Sequence, residues 1–202
     1  VLIYGGERLE REAFERALAY HCAPALVGLR CACVISLSSA DYPALPRVAG
    51  RYTRLLERRG VRIEVLCRCE SRWLLLVYRP ELLEAHLQGR EAVSLLQRRG
   101  YPTGAGLAAL LRHLRRRLLW REGFPHEIGL FLGYPPEDVQ GFLADPGGGR
   151  CKLCGHWKVY HDVEGARRQF ARFDRSREAL CSRLRAGMTL SQLFGVRETP
   201  AA

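Results

Sequence analysis

Apolar and polar positions alternate in two periods along this chain. Over residues 7–21, Leu9, Phe14, Ala17, Leu18 and Tyr20 recur at helical spacing among Glu and Arg, which predicts a helix ending before Pro24. Residues 26–37, ALVGLRCACVIS, read as a buried strand. A helix over about 47–59 follows, with Val48, Tyr52, Leu55 and Leu56 as its stripe and Gly60 as its stop. VRIEVLCR (61–68) and RWLLLVYR (72–79) form the clearest hairpin, joined by Cys69-Glu70-Ser71. Helical stretches are expected at 80–88 and 91–98, then a strong amphipathic helix over 105–121 with Leu107, Leu110, Leu111, Leu114 and Leu118 on one side.

From Phe124 to Asp162 the pattern changes. Phe124-Pro125 is expected to open a helix with His126 and Glu127 in its first turn. Gly133 and Tyr134-Pro135-Pro136 end it, and Glu137-Asp138 open a short second helix running to Leu143. The glycine-rich link at 145–150 has neither the Lys-Ser/Thr of a P-loop nor a preceding strand, so it cradles no phosphate. Trp157 to Tyr160 read as a short strand. A long helix over 163–186 turns Ala166, Phe170, Phe173 and Leu180 inward, and 190–194 add a last turn. Residues after Val196 are expected to fray. The fold class is therefore α+β: a small, mostly antiparallel sheet covered by helices, with a mainly helical C-terminal half. One domain over 1–202 is expected, with an α/β part to about 100 and a helical part beyond.

No apolar run approaches the roughly 20 residues a membrane-spanning helix needs. The first turns carry acids and an arginine rather than a charged region followed by an apolar stretch, so no signal peptide is expected. Val1 is not an initiator Met, and a few residues are expected to precede it. Eight cysteines in such a chain read as thiols or metal ligands of a cytoplasmic protein, not as a disulfide framework. The net charge of +11 suits an acidic partner such as nucleic acid, and the arginine-rich helices at 105–121 and 163–186 are the surfaces for it. No aromatic side chains interleave with the arginines of 105–121, so a solvated face is the plainer reading there. Of the 32 cationic residues only Lys152 and Lys158 are lysine, leaving 30 arginines. So lopsided a ratio fits a genome-wide bias toward Arg. It leaves two readings of Lys158: chance, or a position where a cation able to lose its proton is wanted.

Two kinds of site are on offer. CKLCGH (151–156) has the spacing of a metal-binding knuckle, and Cys151, Cys154, His156 and His161 are the candidate zinc or iron ligands, with Cys181 as a further partner. Buried structural thiols are the plainer reading of these cysteines. A convergence of Cys31/Cys33 with Cys67/Cys69 is a second thiol cluster the strand pattern allows. The other kind is a polar site of catalytic or ligand type. Cys22, His126, Glu127 and Lys158 are its reactive candidates, and His21, Tyr134, Trp157 and Tyr160 its binding residues. There Cys22 and His126 are ligands or a nucleophile–base pair, with Glu127 orienting, around a metal ion or a redox-linked small ligand. An interaction protein without a site is the third alternative.

HCAP (21–24), VYRP (77–80), FPHEIGLFLGYPPEDVQGF (124–142) and GHWKVYHD (155–162) resemble the motifs of a bacterial family catalogued as domain of unknown function 3793, typical of anaerobic Gram-positive bacteria. The resemblance spans nearly the whole chain. It marks His21, Cys22, His126, Glu127, Gly133, Tyr134, Asp138, Trp157, Lys158 and Tyr160 as motif positions. His156 stands where the family has tyrosine. The family implies no chemistry.

Overall fold

The computed structural model describes residues 2–119, 123–145 and 147–196. The chain runs α1 (Leu2–Leu26), β1 (Ala32–Ser38), α2 (Leu45–Leu56), β2 (Arg62–Cys69), β3 (Arg72–Tyr78), α3 (Pro80–Leu87), α4 (Arg90–Arg98) and α5 (Gly106–Leu119). Then come α6 (Ile128–Phe131), α7 (Pro136–Leu143), β4 (Leu153–Cys154), β5 (Lys158–Val159), α8 (Val163–Arg185) and α9 (Leu190–Leu193). This is the α+β class the periodicity predicts. The predicted end of the fifth helix at 120–121, and everything after Val196, lie outside the described residues. Among those residues no helix is long and apolar enough to cross a membrane.

The larger sheet is antiparallel in the order β1-β3-β2. Its central strand, RWLLLVY, is apolar on both faces because both are covered. Leu75 and Val77 point into a core with Cys33, Ile35, Phe14, Leu18 and Tyr52, beneath α1 and α2. Leu76 and Tyr78 point the other way, toward Leu83, Leu96, Leu114 and Phe131 of the helices α3 to α6. A β-bulge between Val65 and Cys67 breaks the alternation of β2. Leu66 faces the second core, opposite Ile63 and Val65, as alternation requires, and the bulge sets Cys67 opposite Leu74, off the Ile63–Val65 face.

Two boundaries differ from expectation. First, α1 runs through Pro24 to Leu26, and the predicted strand starts only at Ala32. Proline removes one helical hydrogen bond, but Ala23, Ala25 and Leu26 are fully buried, and tertiary burial outweighs that loss. The freed end is also well capped. Leu29 and Arg30 N–H donate to the Pro24 carbonyl, and Arg79 donates to the Ala25 and Leu26 carbonyls at 2.8 and 2.6 Å. Second, His126 and Glu127 form a turn ahead of α6, where the sequence suggested a helical first turn.

Candidate functional site

The block 124–142 folds back on itself at Gly133, whose φ of +71° puts it in the left-handed region. The turn delivers Tyr134 beneath the Arg30 guanidinium, 4.6 Å from its ring centroid. Trp157 stacks on the same ring at 5.4 Å and meets Phe170 edge-on at 4.6 Å. Asp138, buried in the first turn of α7, fixes this arrangement. Its Oδ2 accepts the indole N–H of Trp157 at 2.7 Å, and its Oδ1 accepts the backbone N–H groups of Tyr160 at 2.7 Å and His161 at 3.1 Å. One carboxylate thus ties β5 to α7.

The walls so fixed enclose a largely apolar cleft of about 300 Å³. Phe124, Tyr134, Phe142 and Trp157 supply its aromatic surface, and His126 and Lys158 its basic side chains. The exposed His126 ring meets Phe142 edge-on at 5.0 Å. Lys158 Nζ stands 5.4 Å from the Phe142 centroid and donates to the Gly147 carbonyl at 3.4 Å. Asp138 also borders the cleft, with both oxygens already engaged. A cavity with a mostly apolar wall and a few polar groups at one side is the form small-molecule sites take.

A family model described as a protein of unknown function, DUF3793, matches residues 18–194. The chain belongs to the DUF3793 family. No curated protein and no solved structure matches it. The stretch that this DUF3793 chain shares with the model contains the whole aromatic cleft and the glycine turn at Gly133.

The structure sorts the predicted residues of the DUF3793 chain into separate places. His126, Tyr134, Trp157 and Lys158 meet in the cleft. Tyr160 lies behind it, its ring against Gly141 and its hydroxyl 3.3 Å from Asp145. Glu127 does not orient His126. It is buried on the far side, where it accepts from the Tyr101 hydroxyl at 3.1 Å and pairs with Arg117 at 3.3 Å. Nor do Cys22 and His126 form a nucleophile–base pair. Cys22 is fully buried in the core under α1, whereas the His126 cleft is bordered by Val34, which faces the other way along β1. Cys22 instead packs in that core with Phe14, Leu18 and Cys33. His21 borders a second, smaller pocket.

The metal readings fare differently from the cleft. Among the described residues no three His, Cys, Asp or Glu side chains form a group that could hold a metal ion. His156 Nε2 is 3.1 Å from Asp174, and His161 Nδ1 is 3.8 Å from Asp138, so the two candidate imidazoles serve different carboxylates. Cys154 is exposed on the tiny β4–β5 hairpin and Cys151 half-exposed before it. The four-thiol cluster fails for a topological reason: β3 separates β1 from β2. Cys31 and Cys33 also diverge, because the strand's alternation starts only at Ala32.

Two lining residues, Phe124 and Phe142, are the first and last of the motif FPHEIGLFLGYPPEDVQGF, yet the sequence pattern does not mark either as a binding residue. Asp138 was noted only as a motif position. An acid in a helix's first turn ordinarily reads as serving the dipole, which hid its link to Trp157. The arginine-rich helix α5 spends much of its charge internally. Arg115 donates to the Val65 carbonyl at 2.9 Å and pairs with Glu64, and Arg117 pairs with Glu127.

Proposed function

We propose that this is a cytoplasmic protein that binds a small organic acid in the aromatic cleft, with Lys158 receiving the anionic group. The observation that carries the reading is the position of Lys158. One of only two lysines in the chain, it stands over an aromatic face in a cleft whose one acid among the described residues, Asp138, is already engaged by three donors. An apolar or planar body fits between Phe142, Phe124 and the Tyr134–Trp157 stack. An anion on that body would answer the ammonium charge, and the exposed His126 gives a second polar contact. All eight cysteines are free thiols, which agrees with a reducing compartment.

The test is a titration with anilinonaphthalene sulfonate, an aromatic anion whose emission rises in an apolar site, followed by displacement with small aromatic and aliphatic carboxylates. Saturable binding is expected, with Lys158→Gln weakening it about 10- to 100-fold, the range of a charge-assisted hydrogen bond. Phe142→Ala should weaken the same binding, and Lys158→Arg should retain most of it. Equal affinity in wild type, Lys158→Gln and Phe142→Ala would remove the proposal. The rival reading, nucleic-acid binding through α5 and α8, instead requires retention on duplex DNA that falls steeply with salt.

A further inference from the structure

Two sulfurs meet at the end of β2. Cys67 and Cys69 are two residues apart, so their side chains share a face of the strand, and their Sγ atoms stand 3.1 Å apart in a thiol–thiol hydrogen bond. The β-bulge after Val65 sets that face opposite Leu74 and Arg72 of β3. Access is unequal. Cys67 is buried, whereas Cys69, the last residue of the strand, is exposed beside the Glu70-Ser71 turn, where Glu70 has a φ of +52°. Arg68, between them, takes the other face, with its guanidinium over Trp73, 5.1 Å from the ring centroid. None of the described residues lining the aromatic cleft belongs to β2, so the pair is independent of that site.

We propose that Cys69 and Cys67 are a reversible thiol–disulfide exchange site, Cys69 meeting a low-molecular-weight disulfide from solvent and Cys67 closing the protein disulfide. An exposed sulfur with a second sulfur at contact distance is the arrangement of an attacking and a resolving thiol. At the tip of a hairpin Cys69 admits a disulfide as bulky as oxidised glutathione, which fully buried Cys22 does not meet. Burial, then the hydrogen bond to Cys69, pushes Cys67 up to about 12, so Cys67 keeps its proton and Cys69 is the sulfur that attacks. Strand geometry makes the product reducible. At about 3.3 Å per residue the two Cα atoms stand about 6.6 Å apart, at the long end of the roughly 4.4–6.8 Å that a disulfide spans. A link at that limit is opened readily by excess thiol.

The exchange balances in two steps. The Cys69 thiol gives its proton to solvent, and the thiolate attacks one sulfur of the small disulfide. That S–S bond breaks, a bond from Cys69 to the attacked sulfur forms, and the other half leaves as a thiolate that takes up a proton from solvent. Cys67, released from its bond to the Cys69 thiol, then attacks the Cys69 sulfur. The mixed S–S bond breaks, the Cys67–Cys69 bond forms, and the second half leaves with the Cys67 proton. In sum, two protein thiols and one small disulfide give one protein disulfide and two small thiols. The protein pair is oxidised and the small disulfide reduced. Cys154, exposed on the β4–β5 hairpin, is the internal control for exposure alone.

Fully reduced wild-type protein should be treated with oxidised glutathione in oxygen-free, chelated buffer, then capped with excess N-ethylmaleimide in urea and digested for mass spectrometry. Trypsin cuts after Arg68 and leaves IEVLCR (63–68) and CESR (69–72) as separate peptides, joined only if Cys67 is linked to Cys69. The expected product is that pair, joined and uncapped, at least about tenfold more abundant than any other protein disulfide. Excess reduced glutathione added before capping should return both peptides to the capped form. In Cys67→Ser, glutathione should stay on CESR. Glutathione left on Cys69 of the wild type with Cys67 capped, modification of Cys154 while Cys69 stays reduced, or a link that excess reduced glutathione does not open overturns the proposal. The wild-type digest decides it even where the variant fails to fold.

Discussion

Asp138 holds Trp157: the indole N–H donates to the buried carboxylate at 2.7 Å while the other oxygen receives two backbone N–H groups of the same strand segment. The wall of the cleft therefore depends on one acid from a different element. Asp138→Asn keeps the shape but turns an amide donor toward groups that are already donors. The expected loss is about 2–4 kcal/mol of stability, from weakened charge-assisted bonds and an unsatisfied buried group. Urea denaturation followed through tryptophan emission measures it. A change below about 0.5 kcal/mol, the size of an ordinary surface substitution, would show that the carboxylate is not holding the wall.

Gly133 is the turn on which the cleft is hung. Its φ is +71°, and a Cβ built there would lie 2.5 Å from Cys31 Sγ. Gly133→Ala combines left-handed strain with a contact that must shift, so a loss of about 1–3 kcal/mol is expected. Chemical denaturation of the variant, with binding of the sulfonate probe in parallel, is the check. Wild-type stability together with wild-type binding would mean that the turn tolerates a side chain and does not position Tyr134.

Three tyrosines set an alkaline limit. Tyr52 donates to Glu15 at 2.6 Å, Tyr78 to Glu64 at 2.9 Å and Tyr101 to Glu127 at 3.1 Å. Burial, then the neighbouring carboxylate, raises each phenol above its ordinary value, Tyr78 to about 12. The native protein keeps protons that the unfolded chain releases near pH 10. Stability from these groups is whole below about pH 10 and falls as pH rises toward the native values. Buried Cys31 and Cys67 act in the same sense, starting from about pH 9. The urea midpoint is expected to drop between about pH 9 and pH 11, and to drop less steeply in Tyr101→Phe. A flat midpoint across that range would contradict the burial of these hydroxyls.

Much of the fold was legible in local pattern. The stripe Leu110, Leu111 and Leu114 named α5, and all three are buried. The hairpin of β2 and β3 was readable because its strands are neighbours in sequence and joined by a short turn. The end of α1 was not, since proline's local preference lost to burial of Ala25 and Leu26 and to capping by Arg79, more than 50 residues away. The site was half legible. His126, Tyr134, Trp157 and Lys158 stood out as motif residues and do meet. Glu127 and Cys22 stood out equally and point elsewhere, because adjacency in sequence says nothing about which side of a turn or helix a side chain takes.

By itself the sequence determined the helices, the hairpin, the excess of arginine and the family, since these rest on composition and on spacings of two to four residues. The tertiary structure alone decided the partners. It placed β3 between β1 and β2, so the paired cysteines could not converge. It gave Asp138 to Trp157, and it set Glu127 against Tyr101. Such pairings follow from which faces pack across the whole chain. A buried polar group must find its hydrogen bond wherever that packing leaves one, and no local period encodes where that is.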